Sequence, residues 1–162
     1  MIERLFWRPL AWFLSRPRVV RILYRRALRT PYTSIYGPDG RIYMARWWLF
    51  NPVNDQGVRR HKWCPWSLRV HHIKLPDAAR VPHTHPWNAR TFVLWGGYME
   101  SRETNGVYSY RTLEAGGTAR LRLGDSHRVI SVDPNLGALT LFVTGPAREA
   151  WGFKESNGEV SR

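Results

Sequence analysis

Apolar residues recur at a helical period over residues 2–14, at Ile2, Leu5, Phe6, Leu10, Phe13 and Leu14, and again at Val20, Leu23, Tyr24, Ala27 and Leu28. Pro9 interrupts the first stripe, so that helix is kinked or begins near it. Ser15-Arg16-Pro17 reads as a break and restart, a serine N-cap with proline in the following first turn. Thr30 to Gly40 reads as a turn-rich connector containing Gly37-Pro38-Asp39-Gly40. From Arg41 the pattern becomes β-like, with runs over 41–50, 67–75, 90–100, 107–113, 118–123, 127–132 and 138–144, and an edge segment over 151–154. Trp47 and Trp48 fall on opposite faces of the first run, one for sheet core and one for helix packing. In the run 67–75, Leu68 and Val70 face a packed layer. Arg69, His71 and Ile73 share the other face, which is either a barrel interior or solvent. Gly96-Gly97 marks a hairpin or a sharp bend. About eight short strands with regular turns predict an all-β sandwich or barrel over 31–155. It is preceded by a basic amphipathic helical extension, 1–30, and followed by a frayed tail, 156–162.

The charge distribution sharpens this division. The formal net charge is +13, and residues 1–30 alone hold eight arginines against Glu3. A helical extension of this kind suits a membrane surface, nucleic acid phosphates, or packing on the domain or across a homodimer with a solvated arginine face. Nine tryptophans are many for 162 residues and leave a surplus for an interface. The single cysteine, Cys64, excludes an intramolecular disulfide and fits a reducing, cytoplasmic setting. No run of apolar residues is long enough for a transmembrane helix, and Arg8-Pro9 breaks the apolar core that a signal peptide needs.

The chemistry concentrates in Val81-Pro82-His83-Thr84-His85-Pro86-Trp87 and in Gly124-Asp125-Ser126-His127. On an extended segment His83 and His85 point to one face, and His127 offers a third imidazole from a distant strand. Imidazole suits zinc, copper, iron and nickel. His61 and Cys64 lie in the polar loop 51–65, and no Cys-x-x-Cys spacing assigns Cys64 a metal role.

The two segments resemble the motifs of the cupin superfamily. His83, His85 and Gly96 or Gly97 match its first motif, and Gly124 and His127 match its second. The resemblance implies a double-stranded β-helix, the cupin jelly roll, with the basic helices outside it. The first motif's glutamate should fall at Ala89 or Arg90, and neither is acidic. Arg122 stands at the second motif's proline position and Ser131 at its asparagine position. Three histidines without the glutamate look like the thiol-dioxygenase branch, of which cysteine dioxygenase is a member. Residues 41–153 are also similar to small cupin-like proteins of phages and prophages, through Arg46-Trp47-Trp48, Arg69-Val70-His71, His85-Pro86-Trp87 and Trp151-Gly152-Phe153 among other stretches. That implies a phage-encoded protein in a host cytoplasm.

Three neutral histidines leave a divalent ion its full charge, which favours a small anionic substrate. Fe(II) fits an oxygenase of this design, and Zn or Ni would also suit the ligands. If Arg90 faces inward it can pair with a substrate carboxylate or phosphate; it can equally repel the metal. His71 shares the pocket if its face looks inward. Asn88 is a candidate weak ligand or partner of a histidine, and Tyr98, Tyr108 and Tyr110 are candidate hydrogen-bonding groups. A non-enzymatic binding or assembly module docked through residues 1–30 is the alternative. A sugar isomerase or epimerase with His71 or His85 as base is the third reading.

Overall fold

The structure is a computed structural model and describes residues 2–52, 63–77, 82–104, 107–149, 152–154 and 160–161. A π-helical turn, Glu3–Trp7, runs into α1 (Arg8–Leu14), and α2 (Pro17–Ala27) follows. Pro9 sits in the first turn of α1, directly after the π-helical turn. The N-cap of α2 is Arg16, not Ser15. Pro17 holds the residue before it in the extended region, while Ser15 still closes α1 and its Oγ donates to the Trp12 carbonyl at 2.8 Å.

Among the described residues eleven strands follow: β1 (Pro31–Tyr36), β2 (Ile42–Phe50), β3 (Ser67–Ile73), β4 (His83–Thr84), β5 (Ala89–Thr104), β6 (Val107–Glu114), β7 (Thr118–Leu121), β8 (Ser126–Val132), β9 (Ala138–Thr144), β10 (Gly152–Lys154) and β11 (Val160–Ser161). The segment expected to be a connector therefore contains β1. It is an irregular edge strand that opens on Pro31 and pairs only with β2, which is where a sheet tolerates proline. The tail expected to fray adds β11 beside β10. Residues 53–62, with His61, lie outside the described residues, as does Trp151.

All pairings are antiparallel, in the order β1-β2-β3-β9-β5-β8-β4-β10-β11, with β6 and β7 also pairing with β5. β5 belongs to both walls of the curled sheet. Its first half pairs with β9 and β7, its second with β6 and β8. Gly96 is the corner, at φ +66°, so the Gly96-Gly97 signal is a bend within one strand rather than a hairpin.

The helices cover the outer face of the first wall. Ala11 and Ala27 are fully buried there against Val70, Phe92, Leu94, Leu139 and Leu141. Trp7 meets Phe92 with ring centres 6.1 Å apart, and Tyr24 meets Trp47 edge-on at 5.5 Å. A second cluster, including Val93, Tyr98, Leu113, Val129 and Ala138, joins the two walls. Beyond it the walls part around a cavity of about 580 Å³.

Candidate metal centre

The three histidines meet in this cavity. β4 pairs with β8 so that His83 lies opposite His127, and His85 follows just past the end of β4. Their ligand-capable nitrogens all lie within 4.8 Å of one another. Nε2 of His85 is 2.9 Å from Nε2 of His127. Nδ1 of His127 lies 2.9 Å from Glu100 Oε2, and since the carboxylate can only accept, the ring proton sits on Nδ1. The Nε2 lone pair of His127 then faces His85. Two nitrogens about 2.0–2.1 Å from a shared ion and at right angles to it would be about 2.9 Å apart. The donor set and spacing fit a divalent metal ion.

Glu100 is the residue that the sequence reading missed. It is 1% exposed, and both its oxygens are committed. Oε2 takes the His127 proton; Oε1 accepts from Arg102 Nε at 2.9 Å and from Arg111 Nε. It therefore orients His127 and does not itself face the other two histidines in place of the absent motif glutamate. Burial alone would raise its pKa, but the hydrogen bond from His127 and the charges of His127, Arg102 and Arg111 hold it down at about 2. A second carboxylate, Asp77, stands 3.8 Å from Nδ1 of His83. Asp77 is fixed by the Val129 amide at 2.8 Å and by the Tyr43 hydroxyl. Burial first, then Asp77, pushes the Tyr43 pKa upward, so Tyr43 remains a donor.

Burial favours the neutral form of His83 and His85, the form that ligation requires. Burial, then His127, pushes His83 down to about 4, against the pull of Asp77 and Glu100. His85 lies well below the ordinary range through burial, with His127, His83, His71 and Arg69 adding to it. Burial, with Arg69 and Arg46 beside it, takes His71 to about 3. An unfolded histidine protonates near 6.5, so below that pH the unfolded chain binds a proton that folded His71 refuses. Stability thus falls as pH drops from about 6.5 towards 3. Between pH 7 and pH 5 His71 alone is expected to remove about 2 kcal/mol from the metal-free protein. Urea midpoints across that range should show this fall, and His71→Phe should remove only the share of it due to His71, because His83 and His85 are depressed over the same window. An unchanged slope in the variant would refute the assignment to His71.

The remaining expectations divide by strand parity. His71 and Arg69 do line the cavity, with Ile73 beside them. Arg90 does not. It points to the outer face, bridges Glu3 at 2.5 Å and lies over the Trp7 ring at 4.3 Å. Thr91 is the residue of that pair that faces inward, so Arg90 neither meets a substrate nor repels an ion in the cavity. Asn88 is committed to the backbone, accepting from the Leu123 amide at 3.0 Å, and is not a ligand. Tyr98 lines the cavity, whereas Tyr108 and Tyr110 are exposed on β6. Cys64 is half-buried with its Sγ 3.8 Å from the Trp66 carbonyl.

Arg69 takes the position once considered for Arg90. Its guanidinium lies over Trp48 at 4.5 Å and over Trp87 at 5.0 Å, and Trp87 in turn stacks on His85. Arg46, stacked over Tyr32, also lines the cavity. Among the described residues, Nε of Arg69 and Nε2 of His71 are both buried without a hydrogen-bond partner. Buried polar atoms are rarely left so, and two of them on one cavity wall mark a place for a ligand.

No family model and no curated protein matches the chain in sequence. In structure it is similar to DMSP lyase DddQ from Ruegeria pomeroyi (TM-score 0.53, 20% identity, 78% of this chain and 59% of that one). It is also similar to Streptomyces albus HEPD, whose structure holds 2-hydroxyethylphosphonate and Fe(II) (TM-score 0.53, 20% identity, 74% and 25%). A variant of Bacillus subtilis oxalate decarboxylase gives TM-score 0.55 at 12% identity, over 83% and 31%. The chain spans less than two thirds of the length of each of these three. The fold is thus the cupin jelly roll. On that fold this chain brings His83, His85 and His127 together, with Glu100 bonded to His127 and a helical layer outside.

Proposed function

We propose that this protein is a metal-dependent enzyme, an Fe(II) oxygenase acting on a small anionic molecule. The observation that carries the proposal is the convergence of His83, His85 and His127 beside a cavity wall with two unpartnered buried polar groups. His83, His85 and His127 would hold the ion, which when bound supplies Lewis acidity and, as Fe(II), a redox centre for dioxygen chemistry. Glu100 keeps His127 in the tautomer that presents Nε2. Arg69, fixed between two indoles, binds and orients the anionic group of the substrate, with Arg46 adding charge at the same wall. Neutral His71 gives or takes a proton at Nε2 beside the bound anion. Phe142, Val129 and Leu121 keep water from the site. The pairing of Fe(II) with a small phosphonate in HEPD supports this reading of ion and substrate charge.

The test is metal content by plasma mass spectrometry on protein without a histidine tag, followed by oxygen uptake with small acids and thiols. Stoichiometric iron, lost in His83→Ala and His127→Ala, is expected. Arg69→Met should keep the metal and raise KM about 10–100-fold, the worth of hydrogen bonds to a charged group. Failure to bind iron after reconstitution with Fe(II) would sink the proposal.

A further inference from the structure

The helical layer is apolar on two sides. Over residues 2–14, Trp7, Leu10, Ala11 and Leu14 face the sheet and pack on it. Ile2, Leu5, Phe6, Trp12 and Phe13 occupy the opposite helical positions, and each is more than half exposed. A helix with one partner needs one apolar stripe; this one has two. On α2 the outward positions are Arg18, Arg21 and Arg25, with Arg29 continuing the stripe past the helix end, and exposed Ile22 lies among them. Both helices cover the same wall, so their outward sides face the same way. Glu3, the one acid in residues 1–30, is bound to Arg90 of the sheet. The layer thus presents a ridge of large apolar side chains next to a stripe of arginines.

We propose that this layer docks on an anionic lipid bilayer, with the outer side of α1 in the headgroup and acyl boundary and the arginines of α2 on lipid phosphates. The chemistry is that of a basic amphipathic surface that lies on a membrane. Among the described residues no helix is long and apolar enough to cross one. A second copy of the chain fits poorly, since the helical layer offers no acid to meet the arginines: its one acid, Glu3, is bound to Arg90. Nucleic acid would satisfy the arginines and leave five large apolar side chains in water.

Flotation of the full chain with phosphatidylcholine vesicles, with and without phosphatidylglycerol, tests this. Binding is expected only to the anionic vesicles and should weaken steeply with salt. Replacing Arg18, Arg21, Arg25 and Arg29 by glutamine should reduce partitioning about fivefold per arginine, roughly 10²–10³-fold in all. Trp12→Ser with Phe13→Ser should reduce it about tenfold or more. Far-UV circular dichroism and the urea midpoint, unchanged in both variants, show that the domain stays folded. The proposal is overturned by absence of flotation or by equal binding to neutral vesicles. A dimer abolished by the double serine variant would make the occupant a second copy. Duplex DNA binding that survives the double serine variant, without flotation, would make it nucleic acid.

Discussion

Replacing Glu100 by alanine is expected to cost about 3–5 kcal/mol of folding stability, the usual penalty for removing one partner of a buried ion pair. The carboxylate is 1% exposed and is shared by Arg102, Arg111 and His127. Without it two guanidinium groups lose their common counter-charge at a place that water scarcely reaches. Arg102 keeps Asp125 at 3.3 Å, so part of its charge stays matched. Glu100→Gln separates the structural role from the positional one. A glutamine oxygen can still accept from Nδ1 of His127, so folding should suffer less than in the alanine variant. The ligand becomes less basic, and metal affinity should fall about 10–100-fold. Urea unfolding of metal-free protein and competitive metal titration read the two effects apart. An alanine variant within about 1 kcal/mol of the parent protein would contradict the burial argument.

The strands, the bend and the three histidines were legible because each is written in local pattern. Alternation marked β3, β6 and β7, an apolar β-rich run marked β9, paired glycines marked the corner, and the His-x-His spacing placed two rings on one face before any tertiary contact was known. Glu100 was not legible, because its role depends on long-range register. β5 and β8 bring Glu100 opposite Val129 and Arg102 opposite His127 across an irregularity between Met99 and Glu100. The available signal was an acid followed two residues later by an arginine, in line with Tyr98 on one strand face. The side on which Arg90 falls stayed open for a related reason. A shift between Val93 and Trp95 changes which parity faces inward, so Thr91 lines the cavity in the first half of β5 and Tyr98, Glu100 and Arg102 line it in the second. A motif slot cannot reveal that change. β1 escaped because an edge strand that pairs on one side needs little apolar periodicity.

Gly96→Ala is expected to cost more than about 4 kcal/mol and to abolish the metal site with the fold around it. Two penalties combine. At φ +66° an alanine meets its own carbonyl, which accounts for about 1–2 kcal/mol. The larger one is steric: a Cβ at this position would stand 1.9 Å from the Gly137 carbonyl oxygen. Gly137 cannot move aside easily. Its carbonyl accepts from the Gly97 amide at 3.1 Å, and its own Cα lies close under the Ile73 carbonyl, where a Cβ would come within 2.5 Å. Gly137, just before β9, is therefore clamped between the corner of β5 and the end of β3. Glu100 is four residues beyond the corner, so any relief of the clash moves the carboxylate that orients His127. Gly40→Ala is the control for backbone strain alone. Gly40 has φ +75°, but nothing lies within 4 Å of the added Cβ. That variant should lose only about 1–2 kcal/mol and keep its metal. Thermal unfolding with metal content measured on the same samples decides the matter. Equal losses in the two variants would mean that backbone conformation, and not the close approach of Gly137, makes glycine necessary at the corner.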